Sequence, residues 1–161
     1  MRGLDQARQD KGDGLVLFGE KNFSAGADIA EFASGKHRVS PGLNEVLCAL
    51  DNFDKPLLAC INGVALGGGL ETALSCQWRL CSPKTVVGLP EVHLGILPGA
   101  GGTQRLPRLI GVEKALEIML SGRNVTAAEA LKLGIVDSVS DAPFESEEHL
   151  VDCAYNFILT D

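Results

Sequence analysis

The sequence predicts an α/β domain with parallel strand pairing, and three observations carry that prediction. Short, continuous apolar runs bounded by glycine or turn residues recur, as in Leu15-Val16-Leu17-Phe18 and Leu57-Leu58-Ala59-Cys60-Ile61, which is the pattern of buried strands. Segments of helical periodicity separate them, such as residues 43–53 through Leu43, Val46, Leu47 and Leu50. Strands that alternate with helices build parallel sheets. The 19 glycines are clustered, which assigns them to specific loops rather than to a flexible linker.

Taken in order, residues 3–11 have the spacing of the end of an amphipathic helix, and Leu15–Phe18 is the first strand. A loop from Gly19 to Gly26 leads to a short helical turn over 28–33, then to a mobile loop over 34–42 containing Ser, Gly, Lys, Pro and His. A helix over 43–53 precedes Pro56, which opens the strand Leu57–Ile61, and Asn62-Gly63 is a turn. Gly68 to Ser75 is a buried helix with Glu71 in its first turn. Trp78–Cys81 and Thr85–Val87 are strands around a turn at Ser82-Pro83, and helices at 101–110 and 112–121 are divided by Gly111. Thr126-Ala127-Ala128-Glu129 has capping-box spacing and opens a helix that Gly134 ends. Ile135–Val139 is a last strand, and 144–159 is a helix without an evident partner. The chain shows no internal repeat and no linker.

Composition bounds the function. With 45% hydrophobic and 22% charged residues the chain is globular, and its 5% aromatic content leaves the core to Ala, Leu, Val and Ile. A net charge of −7 excludes nucleic acid as a main partner. It leaves room for a small anionic ligand at Lys36-His37-Arg38 or at Arg105 and Arg108, patches that read equally as solvated faces. Cys48, Cys60, Cys76, Cys81 and Cys153 are odd in number and lack zinc-finger spacing. Cys60 and Cys76 read as small buried residues, no metal site is expected, and reduced thiols fit an intracellular protein. No apolar run has the length of a membrane span, and the polar N-terminus is no signal peptide.

Two glutamates in glycine-rich settings carry the chemistry. Glu71 ends Val64-Ala65-Leu66-Gly67-Gly68-Gly69-Leu70-Glu71, and Glu91 lies in Gly88-Leu89-Pro90-Glu91-Val92-His93. Apolar surroundings raise a carboxyl pKa toward neutrality and suit it to proton transfer. The glycine triplet follows a strand and precedes a helix, so its bare backbone presents N–H groups to a ligand oxygen. A phosphate site and an oxyanion hole both fit. A P-loop does not, because no lysine follows; a dinucleotide fingerprint fails at Thr72, where its last glycine belongs. Asn22-Phe23-Ser24-Ala25-Gly26-Ala27-Asp28-Ile29 also joins a strand to a helix, with Asp28 placed as N-cap. One backbone donor from each segment could pinch a carbonyl oxygen. Each glutamate also has a plain structural alternative: Glu71 favouring its own helix dipole, Glu91 paired with Arg105 or His93. Ser24 lacks a nucleophile elbow.

Phe23–Ile29, Ile61–Glu71 and Leu89–Leu106 together resemble, in order and spacing, the enoyl-CoA hydratase/isomerase (crotonase) family over roughly residues 10–140. The likeness is greatest to the hydratase part of peroxisomal-type and bacterial multifunctional β-oxidation enzymes. The resemblance implies a crotonase-like spiral of ββα units, here short at both ends, with a core over 1–141 and the start of a C-terminal helical region over 142–161. It implies that the N–H groups of Ala27 and Gly68 bind the thioester oxygen, that Glu71 activates water, and that Glu91 exchanges a proton with the α-carbon. Ala25, Asp28, Ile29, Gly69, Pro90 and Gly99 are then substrate-binding positions. The implied activity is hydration of 2-enoyl-CoA in fatty-acid β-oxidation; isomerisation of 3-enoyl-CoA and non-catalytic acyl-CoA binding are the alternatives. No cofactor is implied, CoA being part of the substrate, and a trimer-based homo-oligomer is expected in a peroxisomal, mitochondrial or bacterial cytoplasmic setting. The chain departs from the family at Ala30, where a basic residue often meets CoA phosphate; Lys36 or Arg38 is the candidate substitute.

Overall fold

The computed structural model describes residues 1–28 and 40–160. Among the described residues seven strands form two sheets: β1 (Leu15–Phe18), β2 (Leu57–Ile61), β3 (Val64–Leu66), β4 (Trp78–Cys81), β5 (Val86–Gly88), β6 (Val125–Thr126) and β7 (Ser138–Val139). The first sheet has the order β1-β2-β4-β7 and is wholly parallel, with Leu58 opposite Val16 on one side and Trp78 on the other. The second has the order β3-β5-β6, parallel between β3 and β5 and antiparallel between β5 and β6.

The path between the sheets is a spiral of ββα units, as expected. Only Asn62-Gly63 separates β2 in the first sheet from β3 in the second. The turn at Ser82–Thr85 makes the same crossing from β4 to β5, locked by Thr85 Oγ1 donating to the Ile61 carbonyl at 2.8 Å. Ser24 extends the second sheet by a parallel bridge to Ala65, so the loop after β1 repeats the crossing. Helices α1 (Arg2–Gln9), α2 (Leu43–Asp51), α3 (Gly68–Ala73), α4 (Gly102–Ile110), α5 (Val112–Ser121), α6 (Ala127–Leu133) and α7 (Glu147–Thr160) fill the returns.

Alternation along β2 builds two cores. Leu57, Ala59 and Ile61 point into the main one, with Leu47 and Leu50 of α2, Leu70 of α3, Leu106 of α4 and Ile118 of α5. Leu58 and Cys60 point the other way, toward Leu80, Phe144, Leu150 and Ala154. Each fully buried Leu or Ile contributes about 1.5–3 kcal/mol relative to exposure, so a continuous apolar strand is stabilised from both faces. The tail helix α7 therefore has a partner after all. It covers the second face of the first sheet, which its periodicity alone did not disclose.

Other elements match the sequence closely. Thr126 caps α6, its Oγ1 accepting from the Glu129 N–H at 3.4 Å, and Gly134 ends the helix at φ +81°. The last strand is shorter than expected. Ile135 is drawn into the helix closure, its N–H donating to the Ala130 carbonyl, and pairing with β4 begins only at Ser138. The strand expected before the glycine triplet is β3, only three residues long, whereas β6 and a 3-10 turn at Pro90–Leu94 have no counterpart in the sequence reading. All but the first residue of the turn expected over 28–33, most of the 34–42 loop, Ile29, Ala30 and the Lys36-His37-Arg38 patch lie outside the described residues. All five cysteines are free; burial is the main cause that pushes the thiols of Cys60, Cys76 and Cys81 up to about 12. Among the described residues no helix is long and apolar enough to cross a membrane.

Candidate active site

The site grows from the end of β3. Gly67 leaves the strand at φ +52° and ψ −127°, a conformation that favours glycine, and its N–H donates to the Gly88 carbonyl at 2.9 Å. This ties the junction to the end of β5. Helix α3 begins at the next residue, so the Gly68 N–H is a first-turn donor with no intrahelical acceptor. One turn on, Glu71 is 2% exposed. Its Oε1 accepts two backbone hydrogen bonds, from the Ala100 N–H and the Gly102 N–H, both at 2.8 Å. Gly102 is the first residue of α4. Glu71 therefore serves not the dipole of its own helix but the N-terminus of the next one, where unpaired N–H groups and partial positive charge meet a carboxylate.

Glu91 stands in the 3-10 turn, which Pro90 opens and Gly95 closes at φ +70°. It is 9% exposed, and its Oε2 is buried with no hydrogen-bond partner among the described residues. Removal from water pushes its carboxyl pKa above the ordinary range; its own backbone N–H opposes the rise, and the charge of Glu71 adds to it. Neither partner suggested by the sequence reaches it. His93 Nε2 lies 3.2 Å from the Gly122 carbonyl, and Arg105 pairs with Asp51 at 2.6 Å. The space beside Glu91 comes from Gly67, on which a Cβ would stand 3.2 Å from Oε1.

The loop after β1 runs alongside. The Ser24 N–H donates to the Val64 carbonyl and the Leu66 N–H to the Ser24 carbonyl, both at 3.0 Å. Gly26, at φ +99°, passes so near that a Cβ there would lie 3.0 Å from the Leu66 oxygen and 3.7 Å from the Gly68 nitrogen. The backbone leading into Ala27 is thus carried past the amide of Gly68. Ser24 Oγ accepts from the Gly26 N–H at 3.2 Å and so locks the turn.

The remaining candidates fall around this junction in different ways. Gly69 is buried, and a Cβ on it would collide with the Ser24 carbonyl, leaving no room for a side chain. Pro90 is half-buried beside Glu91, Gly99 is exposed with room for a side chain, and Ala25, Ala27 and Asp28 are exposed. Ile29 lies outside the described residues. Arg105 and Arg108 do not form a free cationic patch: the first holds Asp51, the second the side chain and carbonyl of Gln104.

Ala100 and Gly102, whose N–H groups hold the Glu71 carboxyl, are positions that sequence reasoning did not single out. The available signal was Gly99-Ala100-Gly101-Gly102 opening a helix, a run with unpaired N–H groups. Which acceptor they meet, 29 and 31 residues upstream, is set by the fold. A cleft of 330 Å³ between β7 and α7, lined by Ser138, Asp141, His149 and Cys153 among others, shares no lining residue with this cluster.

The family model for enoyl-CoA hydratase/isomerase matches residues 1–157. The chain is 54% identical over 140 residues to a peroxisomal bifunctional enzyme of Danio rerio, covering 86% of this chain and 19% of that protein. It is 50% identical over 133 residues to a fatty acid oxidation complex subunit alpha of Shewanella loihica, covering 78% of this chain and 19% of that one. The crystal structure of an enoyl-CoA hydratase from Bacillus anthracis superposes with a TM-score of 0.85 at 38% identity, covering 99% of this chain and 62% of that one. The chain thus spans about a fifth of the length of these curated relatives and 62% of that solved hydratase.

Proposed function

The chain belongs to the enoyl-CoA hydratase/isomerase family, and from that membership we propose that it adds water to 2-enoyl-CoA, giving 3-hydroxyacyl-CoA, a step of fatty-acid β-oxidation. The observation that carries this is the contrast between two carboxyl groups at one backbone junction. Glu71 is held as an acceptor by two N–H groups. Glu91 is buried, with Oε2 unpaired among the described residues and a raised pKa. One is suited to take a proton and the other to give one.

The N–H groups of Ala27 and Gly68 receive the thioester oxygen and draw electron density from the conjugated double bond. Each such donor accounts for about 10²–10³ in rate. Water attacks the β-carbon while Glu71 takes one of its protons. The enolate electrons then bond the α-carbon to the proton that Glu91 releases. The net change is addition of H and OH across the double bond; one proton passes from Glu71 to Glu91 through solvent before the next turnover. Ala25, Asp28, Ile29, Gly69, Pro90 and Gly99 are assigned to the substrate path. CoA belongs to the substrate, and every step is carried by side chains and backbone of this chain. The exposed apolar side chains of Leu94, Ile96, Leu97 and Leu120 support a homo-oligomer, which sedimentation of the purified chain tests.

The enzymatic test follows the loss of crotonyl-CoA absorbance with the purified chain. Turnover that Glu71→Gln lowers by about 10²-fold or more, with isomerisation of 3-enoyl-CoA retained, supports hydration. Isomerisation as the sole wild-type activity transfers the site to the isomerase reading. CoA binding without either turnover overturns both.

A further inference from the structure

We propose that Asp51 and Arg105 form a positioning pair that holds the Ala100–Gly102 turn onto Glu71. The inference deepens the hydratase reading and rests on it for its kinetic consequences, but not for its geometry. Glu71 Oε1 receives the Ala100 and Gly102 N–H groups, which belong to the peptides 99–100 and 101–102. Between them lies the peptide 100–101. Its carbonyl, on Ala100, accepts from Arg105 Nη1 at 3.3 Å.

The guanidinium also lies directly against Gly101, so closely that a Cβ there would collide with Nη1. Gly101 itself sits at φ +95°. The peptide 101–102 is held separately, its carbonyl accepting the N–H groups of Gln104 at 2.9 Å and Arg105 at 2.8 Å. Side chain and backbone of one residue, Arg105, thus fix the consecutive peptides 100–101 and 101–102; the second carries the Gly102 N–H that donates to the carboxylate, and the first links it to Ala100, the other donor. Asp51, the last residue of α2, holds the other end of the guanidinium through Oδ2 at 2.6 Å from Nη2. The same helix begins at Leu43, whose Cδ2 would lie 2.8 Å from a Cβ on Gly68. Helix α2 therefore braces the donors of Glu71 at one end and packs against Gly68 at the other.

The side chains of Arg105 and Asp51 are 24% and 47% exposed, and an ion pair this open contributes little to stability. A positioning role is consequently separable from a structural one: it moves amide protection and rate while leaving thermal stability nearly unchanged.

Three measurements on Arg105→Ala test it. Hydrogen exchange at the Ala100 and Gly102 amides should accelerate at least about tenfold, with amides late in α4 unaffected. The value of kcat should fall about tenfold with KM within about twofold, the pattern of a misplaced reacting group. In the Glu71→Gln background, Arg105→Ala should change the residual rate by less than about twofold, because the group it positions is gone. Arg105→Lys, which offers one point charge in place of a fork, should restore only part of the protection. Unchanged exchange at both amides overturns the proposal, as does an equal rate loss with and without the Glu71 carboxylate. If Arg105→Ala does not fold, Asp51→Asn keeps the guanidinium and is read by the same exchange measurement with the same criteria. Absence of turnover in the wild type would remove the hydratase reading alone, since the exchange result stands without it.

Discussion

Gly67 leaves the carboxyl of Glu91 its space: a Cβ at position 67 would stand 3.2 Å from Oε1, on a backbone at φ +52° and ψ −127°. Gly67→Ala meets both constraints at once. Backbone strain of this kind costs about 1–3 kcal/mol, which in a chain of this size lowers Tm by roughly 2–4 °C per kcal/mol. The new methyl also displaces the proposed proton donor, so kcat should fall more than about tenfold. Calorimetry and steady-state kinetics read the two effects separately.

The raised pKa of Glu91 gives a signed pH dependence. Between the unfolded carboxyl value, about 4.3, and the raised folded value, the native state holds more protons than the unfolded one. Stability from this group is therefore present below the unfolded value and is lost as pH rises through the folded one. The stability difference between Glu91→Gln and wild type should shift in favour of the variant as pH rises across that window. The hydration rate of the wild type should fall over the same rise, because the α-carbon needs the protonated form, and Glu91→Gln should lack that limb. Urea melts and pH–rate profiles are the measurements.

What the sequence disclosed follows the reach of each interaction. β1, β2 and β4 were legible because a continuous apolar run is a local pattern, and α6 because Thr126 and Glu129 cap it three residues apart. β3 has three residues and is defined by pairing with Val86–Gly88, more than 20 residues on, so no window over it contains its partner. β6 has two residues and exists only by antiparallel pairing with β5. Glu71 and Glu91 stood out as carboxyl groups among glycines. Their different surroundings did not, because the clamp on Glu71 comes from α4 and the room for Glu91 comes from Gly67.

An ion pair between a buried arginine and a half-exposed aspartate joins the two ends of the first sheet's last crossover. The Arg79 side chain is 6% exposed, and its guanidinium donates to the carbonyls of Ile135 and Cys76 and pairs with Asp137 at 3.0 Å; Asp137 also accepts the Arg79 N–H at 2.7 Å. Asp137→Ala leaves that cation without its counter-charge, and breaking such a pair from one side costs about 3–5 kcal/mol. Asp137 keeps part of its surface in water, so the low end of that range is expected. Arg79→Met with Asp137→Ala should recover much of the loss, read by urea denaturation.

Gly102 separates the stability of α4 from its use. It has no positive φ, so alanine fits the helical backbone, and Gly→Ala at a compatible site stabilises by about 0.4–1 kcal/mol. The added methyl, however, would stand 3.0 Å from Glu71 Oε1, 3.2 Å from its Cγ and 3.1 Å from Pro98 Cβ. Pro98 is buried and cannot swing away. The carboxylate is the end that gives, and it moves off the Ala100 and Gly102 N–H groups that hold it. Gly102→Ala should therefore keep Tm within about 3 °C of wild type, the helical gain offsetting the crowding. Its kcat should drop more than about tenfold. A variant with unchanged kcat would mean that the two hydrogen bonds to Glu71 do not govern its position in the reacting enzyme.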